Sequence, residues 1–206
     1  QVYVDKPVFM NAKGPVALSA QKYLQDHLSQ YGHIRAIYTK KRILAREERG
    51  YHYEIGGFTN AKQQAFKHLL ILKQQGDTLR RELEFIAEAA STQSAVLTEI
   101  DERRKEWMRL CNAHNAEKLV KNLYTADAMY YNHKPLIVGH EGISKDYQYM
   151  NREQYSLTLT PIIVEPVNDQ LVYEIGQCSG SYGGKYMLVW QKDEAGQWAV
   201  LMDSNI

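Results

Sequence analysis

Asp203 is the residue of this chain best placed for acid–base chemistry. It is a lone carboxylate in the alternating apolar stretch that follows Trp198, and a carboxylate drawn into a pocket can take up or return a proton. Around it the sequence offers rings with polar tips. The chain has 15 Tyr, 4 Phe and 3 Trp, a bias that suits the wall of a mixed polar and apolar pocket. The plainer reading of Asp203 is a buried carboxylate bonded to a tyrosine hydroxyl. Other reactive types are less well placed. Cys178 acts as a nucleophile only beside a base, and no Cys–His arrangement is visible, so it reads as a small hydrophobe. Two cysteines, Cys111 and Cys178, make no disulfide framework, and no CxxC or HExxH spacing points to a metal. His114, His133 and His140 stand at a helix end or beside a turn, without ligand spacing. No metal and no cofactor is expected.

Those residues sit in a chain of 206 residues, room for two domains of about 90–115 residues. Its 44% hydrophobic and 24% charged residues exclude wholesale disorder. With 25 basic against 24 acidic residues there is no basic excess of the kind that phosphate binding needs, and the tract Lys40–Arg42 is too short to supply one. No nucleic-acid partner is expected. Nor is membrane insertion, because no apolar run approaches the roughly 18 residues that a span requires. The first residue is Gln1 rather than Met. A mature exported protein begins this way, so a periplasmic or secreted location is favoured over the cytoplasm.

An internal repeat organises the elements. YHYEIGGF at Tyr51–Phe58 matches LVYEIGQC at Leu171–Cys178, and KHLLILKQQGD from Lys67 matches KYMLVWQKDEAG from Lys185. Upstream, the segment from Phe9 resembles the one from Tyr130. Order and spacing agree, so the chain reads as two copies of one domain, 1–90 and 92–206. Copy two is preceded by a helix over Gln93–His114, with Val96, Leu97, Ile100, Trp107, Met108, Leu110 and Cys111 in an imperfect helical period and Asp101–Lys105 as its solvated side. Asn115 then caps a second short helix. Copy one lacks this pair and has a longer helix at Val16–Tyr31. The rest of each copy is a strand pair, a helix and a four-stranded antiparallel meander, an α+β arrangement with helices on one face of a curved sheet.

The stretch LYTADAMYYNHKPLIVGHEGI at Leu123–Ile143, the YEIG motif and GKYMLVWQKDEAGQWAVLMD at Gly184–Asp203 resemble the nuclear transport factor 2-like superfamily, in its SnoaL-like and ketosteroid-isomerase-like branch. The resemblance implies tandem cystatin-like cones, the first truncated. Isomerase chemistry in that family needs a carboxylate base and two acidic donors at the oxyanion. The matching positions here are Asn132, Met108 and Leu188, none of which can act so, and isomerisation by that machinery is not expected.

Within the implied cone, strand alternation turns Tyr130 and Asn132, Tyr173 and Ile175, Tyr186, Leu188 and Trp190, and Leu201, Asp203 and Asn205 inward, with Trp107, Met108 and Cys111 closing it from the helix. In copy one the same count gives Tyr51, Tyr53 and Ile55, then Phe66, His68, Leu70 and Leu72, then Leu83 and Phe85. That face has no helix pair over it and reads as a docking platform. Three functions stay open: binding of a small apolar–polar ligand in the copy-two cone, a lyase, isomerase or cyclase using Asp203, and an interaction protein with a filled cone. Assembly through sheet faces is expected, as a pseudo-dimer within the chain or as a homodimer.

Overall fold

The computed structural model describes residues 2–12, 14–16, 29, 31–132 and 135–206. The chain divides into two compact units, Gln1–Ser91 and Thr92–Ile206. The fold is α+β, with a six-stranded sheet in each unit. Among the described residues no helix is long and apolar enough to cross a membrane.

The N-terminal unit contains β1 (Tyr3–Asn11), β2 (Gly14–Val16), β3 (Ile34–Arg46), β4 (Tyr51–Asn60), β5 (Ala65–Gln75) and β6 (Thr78–Glu88). They lie in the order β2-β1-β6-β5-β4-β3, with only the β1–β6 pair parallel. The helix expected over Val16–Tyr31 falls almost wholly outside the described residues. The C-terminal unit opens with α1 (Val96–Asn112) and α2 (Ala116–Leu123). After them come β7 (Tyr124–Tyr131), β8 (Ile137–Val138), α3 (His140–Asp146), a 3₁₀ turn at Tyr147–Asn151, and β9 (Leu157–Asn168), β10 (Leu171–Gly180), β11 (Lys185–Lys192) and β12 (Trp198–Ser204). The strand order, β8-β7-β12-β11-β10-β9, runs as in the first sheet, again with one parallel pair, β7–β12. The C-terminal unit thus has the helix pair and the six-stranded sheet that the resemblance implies.

Two local facts set the helices. Asn115 caps α2, its Oδ1 accepting from the Lys118 amide at 2.9 Å. Along α1 the buried positions are Val96, Ile100, Arg104, Trp107, Leu110 and Cys111, and all but Leu110 follow at spacings of 4, 4, 3 and 4 in a stripe with an arginine at its middle. Arg104 therefore does not belong to a solvated side, and Leu97, counted with the apolar stripe, is half-exposed instead.

Strand register settles which side chains share a face, because directly paired residues point the same way. Glu174 lies opposite Leu188, Leu188 opposite Asp203, and Asp203 opposite Tyr130. Val172 faces Trp190, and Gly176 faces Tyr186. The row that faces the helices is therefore Val172, Glu174, Gly176 and Cys178. Tyr173 and Ile175, expected inward, stand on the opposite face, because one strand cannot place both Tyr173 and Glu174 on the side shared with Leu188. On β12 the register shifts between Val200 and Met202, and Val200 rather than Leu201 joins the inner core.

The N-terminal sheet repeats the row. Glu54 lies opposite Leu70, Leu70 opposite Glu84, and Glu84 opposite Phe9. Tyr3 and Tyr124 open the first strands at matching register, each followed by the same irregularity in the parallel pairing. Here too the inward count is one residue out of phase on β4 and β6. Glu54 and Glu84, not Tyr53, Leu83 and Phe85, share the face of Leu70, so that face carries buried charge and is not simply apolar.

The glycine of each YEIG motif has a steric purpose. A Cβ on Gly176 would overlap the Tyr186 ring, and one on Gly56 would overlap His68 and the Tyr38 carbonyl. Each glycine lets a large side chain of the next strand lie over the backbone and reach the motif's glutamate. Tyr186 is buried and bonded to Glu174, so it cannot swing aside cheaply. Gly176→Ala should lower stability by about 1–3 kcal/mol, the usual cost of overpacking. Urea unfolding monitored by tryptophan fluorescence reads this, and an unchanged midpoint would show that the ring is free to move.

Candidate functional site

The inner face of the C-terminal sheet holds two buried carboxylates, one on each side of Leu188. Glu174, fully buried, is the better satisfied. Arg104 donates to it twice, Nε to Oε1 at 2.6 Å and Nη2 to Oε2 at 3.0 Å, while Arg104 Nη1 reaches Asp101 at 2.8 Å. The Tyr186 hydroxyl donates to Oε1 at 2.6 Å and the Trp190 indole to Oε2 at 2.9 Å. Burial disfavours the Arg104 cation, but the hydrogen bonds and charge of Glu174 outweigh it and leave the guanidinium pKa raised. Each oxygen of Glu174 thus accepts two bonds, and α1 is tied to β10 and β11.

Asp203 is held by tyrosine hydroxyls. Its Oδ2 accepts from the Tyr124 hydroxyl at 2.6 Å and from the Tyr147 hydroxyl at 2.5 Å, and the Trp107 indole donates to the Tyr124 oxygen at 3.1 Å. Burial raises the Asp203 pKa, the two tyrosine bonds pull it back, and the balance stands at about 6. The carboxyl therefore titrates near neutrality, as a proton donor or acceptor must. Burial also raises the pKa values of Tyr124 and Tyr147 well above the ordinary phenol value, so both remain donors.

Asp203 borders a chamber of about 20 Å³, walled in part by Trp107, Tyr147, Cys178, Tyr186 and Leu188. That is room for about one water. Beyond it lies an open groove of about 470 Å³ with Arg152, Gln154 and Ser181 on its wall. Tyr149, Tyr155, Tyr182 and Asn205 border both spaces and form the partition between them. The rings of Tyr149 and Tyr155 belong to an edge-on series that runs on to Tyr147 and Tyr130, with Tyr130–Tyr147 centroids 5.1 Å apart and Tyr149–Tyr155 centroids 5.4 Å apart.

The residues expected in the pocket divide accordingly. Asp203, Asn205, Trp107 and Tyr186 line the chamber. Tyr130 stands behind Asn205, donating to its Oδ1 at 2.5 Å, and Asn132 donates to the Tyr130 oxygen at 3.2 Å. Trp190 serves Glu174, and Met108 packs against the core with its sulfur accepting from the Leu159 amide. Tyr173 lies on the other face. The residues that sequence reasoning missed are Glu174, Arg104, Tyr147 and the three partition tyrosines. Cys111 and Cys178 are buried, which pushes both thiols up to about 12 and keeps them protonated at neutral pH. His114 Nδ1 lies 3.3 Å from the Met150 carbonyl oxygen and His140 Nε2 lies 3.0 Å from that of Tyr124, while His133 is outside the described residues. Among the described residues no group of three His, Cys, Asp or Glu side chains is arranged to hold a metal ion.

No protein-family model and no curated protein matches the chain. Similar solved structures include an NTF-2-like protein of unknown function from Shewanella oneidensis, at 13% identity and TM-score 0.48 over 53% of this chain and 97% of that one. A ketosteroid isomerase-like protein from Erwinia carotovora atroseptica is 14% identical, with TM-score 0.46 over 54% of this chain and 95% of that one. A domain of unknown function with a cystatin-like fold, from Nostoc punctiforme, is 16% identical, with TM-score 0.46 over 55% and 77%. No function passes from these proteins to this chain.

Folding raises the Asp203 pKa from 3.8 to about 6, so between these values the native state holds a proton that the unfolded chain has lost. The stability contributed by this group is therefore greatest at low pH, falls as pH rises from about 4 to about 6, and is level above that. The unfolding free energy of the wild type minus that of Asp203→Asn should fall by roughly 3 kcal/mol across this window. Denaturant titrations of both proteins from pH 4 to pH 7 measure it. A difference that grows with pH would mean that the site favours the anion.

Proposed function

We propose that the C-terminal unit binds a small amphipathic molecule at the mouth of its cone. The polar end meets Asp203 and Asn205, and the apolar body lies among Tyr149, Tyr155 and Tyr182. One observation carries the reading: a carboxyl that titrates near 6 is separated only by these three tyrosines and Asn205 from a groove of about 470 Å³. Such a groove falls within the usual size range of ligand sites. The matching rows Glu54–Leu70–Glu84 and Glu174–Leu188–Asp203 support a further proposal, that the N-terminal unit is a second, truncated copy of the same domain.

Catalysis of a lyase, isomerase or cyclase kind would use Asp203 as its acid or base, and requires a substrate atom to pass the partition. The chamber's size of about 20 Å³ favours instead an interaction protein with its cone filled by its own side chains. Phenol separates the binding reading from the filled cone. Tyr182→Ala should join chamber to groove. Phenol should shift the amide resonances of Tyr149, Tyr155, Tyr182 and Asn205 in the wild type, and should bind about tenfold more tightly to the variant, a gain of about 1.4 kcal/mol. Silence of these resonances in both proteins would assign the cone to packing.

A further inference from the structure

The N-terminal unit has a cavity of its own, of about 280 Å³, over the Glu54–Leu70 part of its carboxylate row. Arg42, Glu54 and Arg81 give it polar walls, and Leu70, Leu72 and Leu79 give it an apolar floor. The corresponding part of the C-terminal sheet is closed by α1, whose Arg104 uses all three nitrogens on carboxylates. In the N-terminal unit the arginine comes from the edge strand β3, and it is used differently. Arg42 donates to Glu54 through Nε alone, at 2.5 Å. Among the described residues its two terminal amino groups have no partner, and the side chain is 44% exposed at the cavity. Arg81, also on the cavity wall, donates through Nη1 to Glu84, at 2.5 Å, and its guanidinium lies over the Tyr3 ring.

Glu54 is less fully satisfied than Glu174. Burial raises its pKa, but His68 and Arg42 outweigh that and hold it below the usual carboxylate range. His68 is fully buried, with Nε2 3.5 Å from Glu54 Oε1, and among the described residues neither ring nitrogen has a hydrogen-bond partner. The cavity lining therefore carries two guanidinium groups against one carboxylate, with the free donors of Arg42 in the planar fork that suits a bidentate oxyanion. The leucine floor beside them asks for an apolar body on the same molecule. At about 280 Å³ the space is at the small end of ligand sites.

We propose that the N-terminal unit carries a second small-molecule site, specific for a small amphipathic carboxylate, with the carboxylate on the terminal amino groups of Arg42 and beside Arg81, and the apolar body on Leu70, Leu72 and Leu79. The proposal is independent of the reading of the C-terminal cone. The two units would then offer different polar groups to their ligands: a protonatable carboxyl in one, an arginine fork in the other.

Benzoate is the probe, with benzyl alcohol as its uncharged counterpart, titrated into the full ¹⁵N-labelled chain. Benzoate should shift the amides of Thr39–Arg42 and Leu70–Leu72, and benzyl alcohol should bind there at least tenfold more weakly. Arg42→Gln should also weaken benzoate at least tenfold, with Arg42→Lys in between, because lysine keeps the charge and loses the fork. Arg42 is also the cation paired with buried Glu54, so Arg42→Gln should lower the melting temperature, and the variants are titrated well below their own transitions. If a variant does not fold, the comparison of benzoate with benzyl alcohol on the wild type still decides. Shifts confined to Tyr149–Tyr182, no shifts at all, or equal binding of the two probes would overturn the proposal.

Discussion

A glutamate with no water around it must be neutralised where it stands, and the C-terminal unit is arranged around that requirement. Glu174 is fully buried on the inner face of the sheet. Leaving such a charge unpaired costs several kcal/mol, more than a domain of this size can spare. Arg104 from α1, Tyr186 and Trp190 together supply four donors. Meeting them fixes the rotation of α1 about its axis and the sliding of the helix along the sheet. Once α1 is fixed, Trp107 stands one turn further on, where its indole reaches Tyr124, and Tyr124 in turn reaches Asp203. The geometry of the titratable carboxyl is thus a consequence of how the other carboxylate is satisfied.

The two sheets solve the same problem with different parts. In each, a glutamate and a second carboxylate flank a leucine in one row, and a tyrosine that opens the first strand donates to the second carboxylate, Tyr3 to Glu84 and Tyr124 to Asp203. The N-terminal sheet neutralises both acids with arginines of its own strands, Arg42 and Arg81. The C-terminal sheet draws its arginine from a helix and gives its second acid two tyrosine hydroxyls and the Ser204 backbone. That difference decides the chemistry: Glu84 sits beside a guanidinium, whereas among the described residues no cation pairs with Asp203, and its pKa rises to about 6.

Much of this was legible in the sequence, and what was not has a physical reason. The YEIG repeat, the Asn115 cap and the turn signals gave the order of elements, because they depend on local chemistry. Asp203 stood out as a lone carboxylate in an apolar strand. The inward face of β10 came out one residue wrong at Tyr173. Both of its faces are apolar enough to be buried, and alternation alone does not choose between them. The glycine two residues after Glu174 marks the bulky neighbour, Tyr186, that reaches back to that carboxylate. The imperfect period of α1 carried a related signal: its gap fell at Arg104, where a buried stripe requires a side chain. The partition tyrosines lie on a 3₁₀ turn and in the loops before β9 and after β10, whose approach is a matter of tertiary structure, and no spacing along the chain announces it.

A double-mutant cycle on Arg104 and Glu174 tests the account most directly. Arg104→Met, Glu174→Leu and the double variant are unfolded in urea beside the wild type at neutral pH. The account predicts that Arg104→Met alone costs about 3–5 kcal/mol, because it strands the buried carboxylate, and that the two substitutions couple by at least about 2 kcal/mol. Additive losses, with Arg104→Met costing under about 1 kcal/mol, would contradict it. They would mean that the helix is held over the sheet by apolar packing alone and that Asp203 owes its position to something other than this pair.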